Sequence, residues 1–204
     1  MKIKFTLLLV FNLIMISCSN TISTTKKGYA ITQKSELKSD WNLDSKEWFL
    51  EKDTLIGIGS PLKWSVLESK KKLSKNYEIN LNVNMTQESL FEIMLHIDQN
   101  KYIRTYLYKI DQNLIIGRGV YNKNSDEYGK HGGPSIFTKA INLENNKWYS
   151  VKVKVLNNHL FFSVNDETSL ECAIVGNNLS QKGKLGFITN GKVKITDIII
   201  KNLK

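Results

Sequence analysis

An apolar alternation of period two runs almost unbroken from Trp41 to the C-terminus and limits what this chain can become. Tyr77, Ile79, Leu81, Val83 and Met85 alternate with Glu78, Asn80, Asn82 and Asn84. Successive side chains of a strand point to opposite faces, so the pattern predicts a strand with one buried and one wet face. Tyr149, Val151, Val153 and Val155 alternate with Ser150, Lys152 and Lys154 in the same way. Leu160, Phe162 and Val164 resume the inward face beyond Asn157-Asn158, a pair that tolerates positive φ and predicts a hairpin turn. Lys52-Asp53 is expected to join residues 48–51 to 54–58, and Asn190-Gly191 to join 183–189 to 193–200 as a last hairpin. No stretch long enough for a helix carries a helical stripe. About a dozen short strands without helices predict an all-β fold, an antiparallel β-sandwich or a barrel. Two packed sheets bury both aliphatic faces most simply.

The N-terminus is of another kind. Lys2 and Lys4 precede an apolar run from Phe5 to Ile16, broken only by Thr6 and Asn12. That run is shorter than the roughly 20 residues a bilayer-spanning helix needs, and it reads as an export signal. It ends Met15-Ile16-Ser17-Cys18, which resembles a bacterial lipobox. The resemblance implies a signal peptide over 1–17, cleavage before Cys18 and acylation of its thiol. Met15 stands where the motif usually has Leu. Residues 18–40, rich in Ser, Thr and Lys, are expected to be a flexible tether, and 41–204 the folded domain. The expected location is the bacterial cell envelope, facing the periplasm or the cell surface, with the membrane as partner through the lipid on Cys18.

Two cysteines exclude a disulfide framework and a multi-Cys zinc site. With Cys18 lipidated, Cys172 is expected to be a small, semi-buried apolar residue. The net charge of +10 falls to about +8 once Lys2 and Lys4 are removed with the signal. Only Arg104 and Arg118 among the basic residues are arginines, and the lysines are scattered apart from Lys70-Lys71-Lys72 and Lys75. That cluster reads as a solvated loop between strands. Nucleic acid, which favours Arg interleaved with aromatics on one surface, is not an expected partner.

The motifs along the domain carry a resemblance. Trp48 followed by Asp53-Thr54-Leu55-Ile56-Gly57 resembles the opening of the concanavalin A-like jelly rolls. The laminin G-like sandwiches are similar, as is the bacterial domain named as a 3-keto-disaccharide hydrolase. Lys147-Trp148-Tyr149 with its valines, then Phe162-Ser163-Val164-Asn165-Asp166, resembles the family's late hairpin, with Asp166 where Gly is usual. Lys184-Leu185-Gly186-Phe187 and Ile195-Thr196-Asp197-Ile198 resemble its closing strands. The resemblance implies a jelly-roll fold over most of 41–204 and a glycan as ligand. It carries over no catalytic residue. Residues 90–95, Leu-Phe-Glu-Ile-Met-Leu, lack the Asn-Ser-Gly usual in the hydrolase-named members, and no Glu-x-Asp-x-x-Glu occurs.

Residues 91–108 are the most informative stretch. Phe91, Ile93, Leu95 and Ile97 share one face of a strand, and Glu92, Met94, His96 and Asp98 the other. In the next strand Tyr102, Arg104, Tyr106 and Tyr108 lie opposite Ile103, Thr105 and Leu107. A strict two-residue turn at Gln99-Asn100 would set Leu95 against Arg104. A three- or five-residue loop keeps the apolar face continuous and is preferred. It pairs His96 with Arg104, Met94 with Tyr106 and Glu92 with Tyr108. The expected result is a polar-aromatic face of Glu92, His96, Tyr102, Arg104, Tyr106 and Tyr108 suited to a poly- or oligosaccharide. Tyr rings stack on pyranose C–H surfaces, and Arg offers a fixed fork of donors. The same residues would also serve as ordinary cross-strand pairs.

Residues 122–134 form the longest non-periodic segment of the domain, with Asp126, Glu127 and His131 as candidate rim residues. Their spacing matches no standard calcium loop, and neither metal nor cofactor is expected. Trp64, in a stripe with Leu62 and Val66, reads as core. A glycosidase needs two carboxyls about 5–10 Å apart. Glu92 and Asp98, six residues apart on one strand, would be about 20 Å apart and cannot be that pair. Glu92 with Asp126 or Glu127, or a lyase-like set of Tyr106, His96 and Arg104, remains open. The reading is a monomeric carbohydrate-binding domain. A hydrolase-like enzyme on the same fold and a structural or adhesion module are the alternatives. An open aromatic face would mark the first, converging acids the second, and Tyr rings covered by the protein's own loops the third.

Overall fold

The computed structural model describes residues 20–22, 24, 29–30, 37, 39–43, 46–86, 90–122 and 131–204. Residues 1–17, expected as a signal, and Cys18, Asp126 and Glu127 lie outside the described residues.

The period-two stretches form strands where the alternation places them. β1 is Tyr29–Ala30, β2 Trp48–Glu51, β3 Thr54–Ile58, β4 Ser65–Lys72 and β5 Tyr77–Met85. β6 is Leu90–Asp98, β7 Lys101–Tyr108, β8 Asn113–Tyr121, β9 His131–Gly132 and β10 Ser135–Ala140. β11 is Trp148–Leu156, β12 His159–Val164, β13 Thr168–Ala173, β14 Lys184–Thr189 and β15 Lys192–Asn202. A short 3-10 turn, Val175–Asn177, separates β13 from β14. The eight-stranded sheet runs β13-β12-β11-β5-β15-β3-β2, with β1 also paired to β15. The seven-stranded sheet runs β10-β8-β7-β6-β14-β4, with β9 also paired to β8. All pairings between these strands are antiparallel, so the fold is an antiparallel β-sandwich.

The inward faces meet in one core. Trp41 stacks on Phe187 with centroids 5.6 Å apart, and Trp48 and Phe91 tilt against the same ring. Tyr77, Ile79, Leu81 and Val83 of β5 join them, with Val151, Val153 and Val155 of β11 from the same sheet. Lys52, Asn157 and Asn158 all have positive φ, as tight hairpins require.

Two expectations change. Asn190-Gly191 does not close a hairpin: β14 pairs with β4 and β6, whereas β15 pairs with β3 and β5 in the other sheet. The dipeptide turns the chain across the sandwich. Lys70, Lys71 and Lys72 lie on the end of β4, not in a loop, and Lys71 pairs with Asp40 at 2.9 Å. Within the segment expected as a free tether, Ile22 and Leu37 are buried, and Tyr29–Ala30 pairs with Ile199 and Ile200.

Candidate functional site

The register of β6 on β7 decides what shares a face. The turn at Gln99-Asn100 is the tight one, with Asp98 opposite Lys101. Leu95 still faces Ile103, because His96 and Ile97 together oppose Tyr102. This is a β-bulge, and His96 within it adopts a positive φ of 56°. The expectation of a longer loop is therefore corrected: an extra residue in the strand, not in the turn, keeps the apolar face continuous. The pairs are Glu92 with Tyr106 and Met94 with Arg104, in place of Glu92 with Tyr108 and His96 with Arg104.

The bulge also removes His96 from the polar-aromatic face. Its Nε2 lies 3.1 Å from the Tyr77 hydroxyl of the opposite sheet, and its Nδ1 lies 2.7 Å from the Ser180 carbonyl. A carbonyl only accepts, so Nδ1 carries the proton and neutral Nε2 accepts from Tyr77. Burial lowers the imidazole below its ordinary range, and the Ser180 bond opposes this in part. Ile97 swings outward in exchange and packs with Met94, Tyr102 and Tyr106.

The outer face of the seven-stranded sheet carries a second apolar cluster of Trp64, Met94, Tyr102, Tyr106, Ile115 and Ile188 among others. Glu92 and Arg104 sit inside it. Arg104 donates from Nε to both Glu92 carboxylate oxygens at 3.2 and 3.1 Å, and from Nη2 to Oε2 at 2.9 Å. Its Nη1 donates to the Gly133 carbonyl at 2.6 Å. The guanidinium also lies over the Tyr106 ring, 4.3 Å from its centroid. Burial alone would lower the guanidinium, but the Glu92 carboxylate outweighs it and holds it above its ordinary value. Burial and then the Glu92 charge push the Tyr102 phenol well above its own.

The expected open face is thus closed at its centre. Glu92 is 0 % exposed, Tyr102 2 %, Arg104 5 % and Tyr106 6 %, while Tyr108 is half-buried. The strand residues Gly117 and Gly119, which sequence reasoning passed over, explain the cover. A Cβ on Gly119 would lie 2.3 Å from the Tyr102 ring, and one on Gly133 would lie 2.3 Å from the Arg118 carbonyl. The ring and the 133–135 segment can press onto β8 only because those side chains are missing. Two glycines flanking an arginine in a strand were the signal that could have revealed this close approach. Of the candidate rim residues, His131 pairs through its backbone with Tyr121, beside this segment.

Beside the closed centre lies an open cleft of about 510 Å³, within the ordinary range for ligand sites. Tyr102 and Gly119 line it, with Lys101, Arg118, Asp98 and the 178–180 segment. Sequence reasoning placed only Tyr102 at this site. Leu179 and Ser180 come from a part of the chain far from β7, and no local pattern announced them. Cys172 is buried elsewhere, on β13, and burial pushes its thiol up to about 11. Among the described residues, no group of three or more metal-ligating side chains could hold an ion.

No protein-family model matches this chain, and no curated protein matches it significantly. Solved structures do share its fold. The carbohydrate-binding module CBM66 of Bacillus subtilis superposes with a TM-score of 0.64 at 9% identity, over 80% of this chain and 96% of its own. A Bacillus subtilis protein of unknown function with a galectin-like fold gives 0.63 at 13% identity, over 88% and 96%. The family 7 alginate lyase A1-II' gives 0.52 at 12% identity, over 86% and 98%. At these identities the likeness shows the fold alone, a jelly-roll β-sandwich.

Proposed function

We propose that this chain is an exported lipoprotein whose jelly-roll domain binds carbohydrate, with the saccharide seated in the cleft beside Tyr102. The observation that carries the reading is the cleft itself: an open site lined by an aromatic ring, two cations and a carboxylate. Fold neighbours named as a carbohydrate-binding module and an alginate lyase support the ligand class. Glu92 and Arg104 act from behind, as the buried pair that fixes the sheet beneath the ring. Anchoring through Cys18 would hold the domain at the cell envelope.

The hydrolase alternative gains nothing from the geometry. Glu92 is engaged by Arg104, and His96 faces the core, so the set of Tyr106, His96 and Arg104 does not converge. The covering of Tyr102 and Tyr106 was the mark set for a structural module, and it favours that alternative for the centre of the face. The cleft, which the structural module has no use for, favours binding.

The test is affinity electrophoresis of the full chain against neutral and acidic polysaccharides, beside a Val120→Trp variant that fills the cleft. Val120 is 45% exposed at the cleft wall, so the larger ring is tolerated without repacking the core. Retardation that the variant abolishes, with its thermal melt unchanged, supports the reading. Retardation unaffected by Val120→Trp moves the site elsewhere. Absence of retardation across the panel leaves the structural module.

A further inference from the structure

We infer that the cleft recognises an acidic saccharide, with Arg118 grasping a sugar carboxylate and Lys101 as a second cation. The inference rests on the carbohydrate reading and names its substrate class.

The two arginines of the chain have opposite circumstances. Arg104 is consumed by Glu92, Gly133 and the Tyr106 ring. Arg118 is exposed, lines the cleft, and has no side-chain hydrogen bond or ion pair among the described residues. Lys101 is exposed on the same wall and is equally without a partner there.

The register sets the two cations side by side. Lys101 pairs with Val120, and Ile103 with Arg118, so Lys101 and Arg118 are diagonal neighbours on one face of β7 and β8. Diagonal positions across an antiparallel pair lie about 7–8 Å apart, a spacing that lets two long side chains converge on one anion. That face belongs to the core further along: Ile103 is 0 % exposed and Leu107 is buried with it. At this end the core gives out, and the positions that would continue it carry Lys101 and Arg118.

The base of Arg118 is held in place. Its backbone N–H donates to the Pro134 carbonyl at 3.0 Å, and Gly133 lies against its carbonyl. The opposite wall is equally fixed, because Ser180 accepts from His96 through its carbonyl and donates its hydroxyl to the His96 carbonyl at 2.9 Å. Among the described residues Asp98 is the one acid lining the cleft, against the two cations Lys101 and Arg118. A planar guanidinium with an unused fork matches a carboxylate through two parallel N–H bonds, which a neutral hydroxyl cannot reproduce.

The experiment is calorimetric titration of the full chain with tetragalacturonate and with its carboxyl-reduced counterpart, which keeps ring size and linkage but carries no charge. Tetragalacturonate is expected to bind at least about tenfold more tightly. Arg118→Gln should bring it down to the level of the reduced sugar, and Arg118→Lys should restore only part, since an ammonium lacks the planar fork. Lys75→Gln, exposed in the turn between β4 and β5, tests for attraction to overall charge and should change nothing. Equal affinity for the two sugars overturns the inference and leaves the carbohydrate reading intact. So does an Arg118→Gln variant that binds as the parent does, or a Lys75→Gln variant that loses as much as Arg118→Gln. If neither sugar binds while the polysaccharide panel gives a cleft-dependent hit, the acidic assignment alone fails. If nothing binds in either experiment, both fail.

Discussion

The Tyr77 hydroxyl and the His96 imidazole, 3.1 Å apart, form a hydrogen bond that crosses the sandwich from one sheet to the other. It exists because a bulged strand turns His96 inward, and it works only while the ring is neutral. A protonated ring would present a donor to Tyr77 and place a charge in the core.

This makes stability depend on pH. The folded protein lowers the His96 pKa, so the unfolded chain binds the proton more readily. The contribution is fully present above the unfolded value of about 6.5 and is lost as pH falls through the lower folded value. Urea melts between pH 8 and pH 5, a window set around about 6.5, should show stability falling with acid. The His96→Asn variant, which tolerates the positive φ, should lose that part of the slope. An unchanged slope would place the titrating group elsewhere.

Glu92 and Arg104 should behave as a unit. Glu92→Gln leaves the guanidinium charged and unpaired under the Gly133 carbonyl, which should cost about 3–5 kcal/mol. Replacing both, as Glu92→Leu with Arg104→Met, should cost much less than the sum of the single changes. Chemical denaturation of the four proteins in a double-mutant cycle measures this, and additivity would refute the coupling.

Gly119→Ala should destabilise by about 1–3 kcal/mol through overpacking against Tyr102. The cost should shrink in a Tyr102→Leu background, where the ring is gone. Thermal melts of the pair decide it: an equal cost in both backgrounds would mean that the strand, not the ring, rejects the methyl.

Cys172 should be inert in the folded protein. With burial raising its thiol to about 11, little thiolate exists near neutral pH. A disulfide reagent should react with it slowly in buffer and rapidly in urea. Fast labelling of the native chain would contradict its burial.

Much of the fold could be read from the residues. β5, β11 and β12 follow their alternation closely, and the Asn157-Asn158 turn forms where it should, since burial on one face fixes the register locally. Two features were hidden for physical reasons. The bulge at His96 and Ile97 leaves no mark in the alternation, because both neighbours of the extra residue still read as strand. The destination of the chain after Asn190-Gly191 depends on which sheet has a vacant place, and a dipeptide carries no such information. The candidate site suffered from both. Glu92, Tyr102, Arg104 and Tyr106 share a face as their alternation suggests, His96 does not, and the burial of that face depends on glycines of β8 and on the 132–135 segment, which meet it only in three dimensions. Asp126 and Glu127 lie outside the described residues.

The path of the chain at Asn190-Gly191 sets an order of events. β15 lies between β5 and β3, so the middle of the larger sheet is supplied by residues 192–202. Everything in the smaller sheet is synthesised before that strand appears. A chain emerging N-terminus first therefore carries two unjoined half-sheets with bare edges until Lys192–Asn202 slots between them. Without that strand the two halves of the larger sheet have no ladder in common.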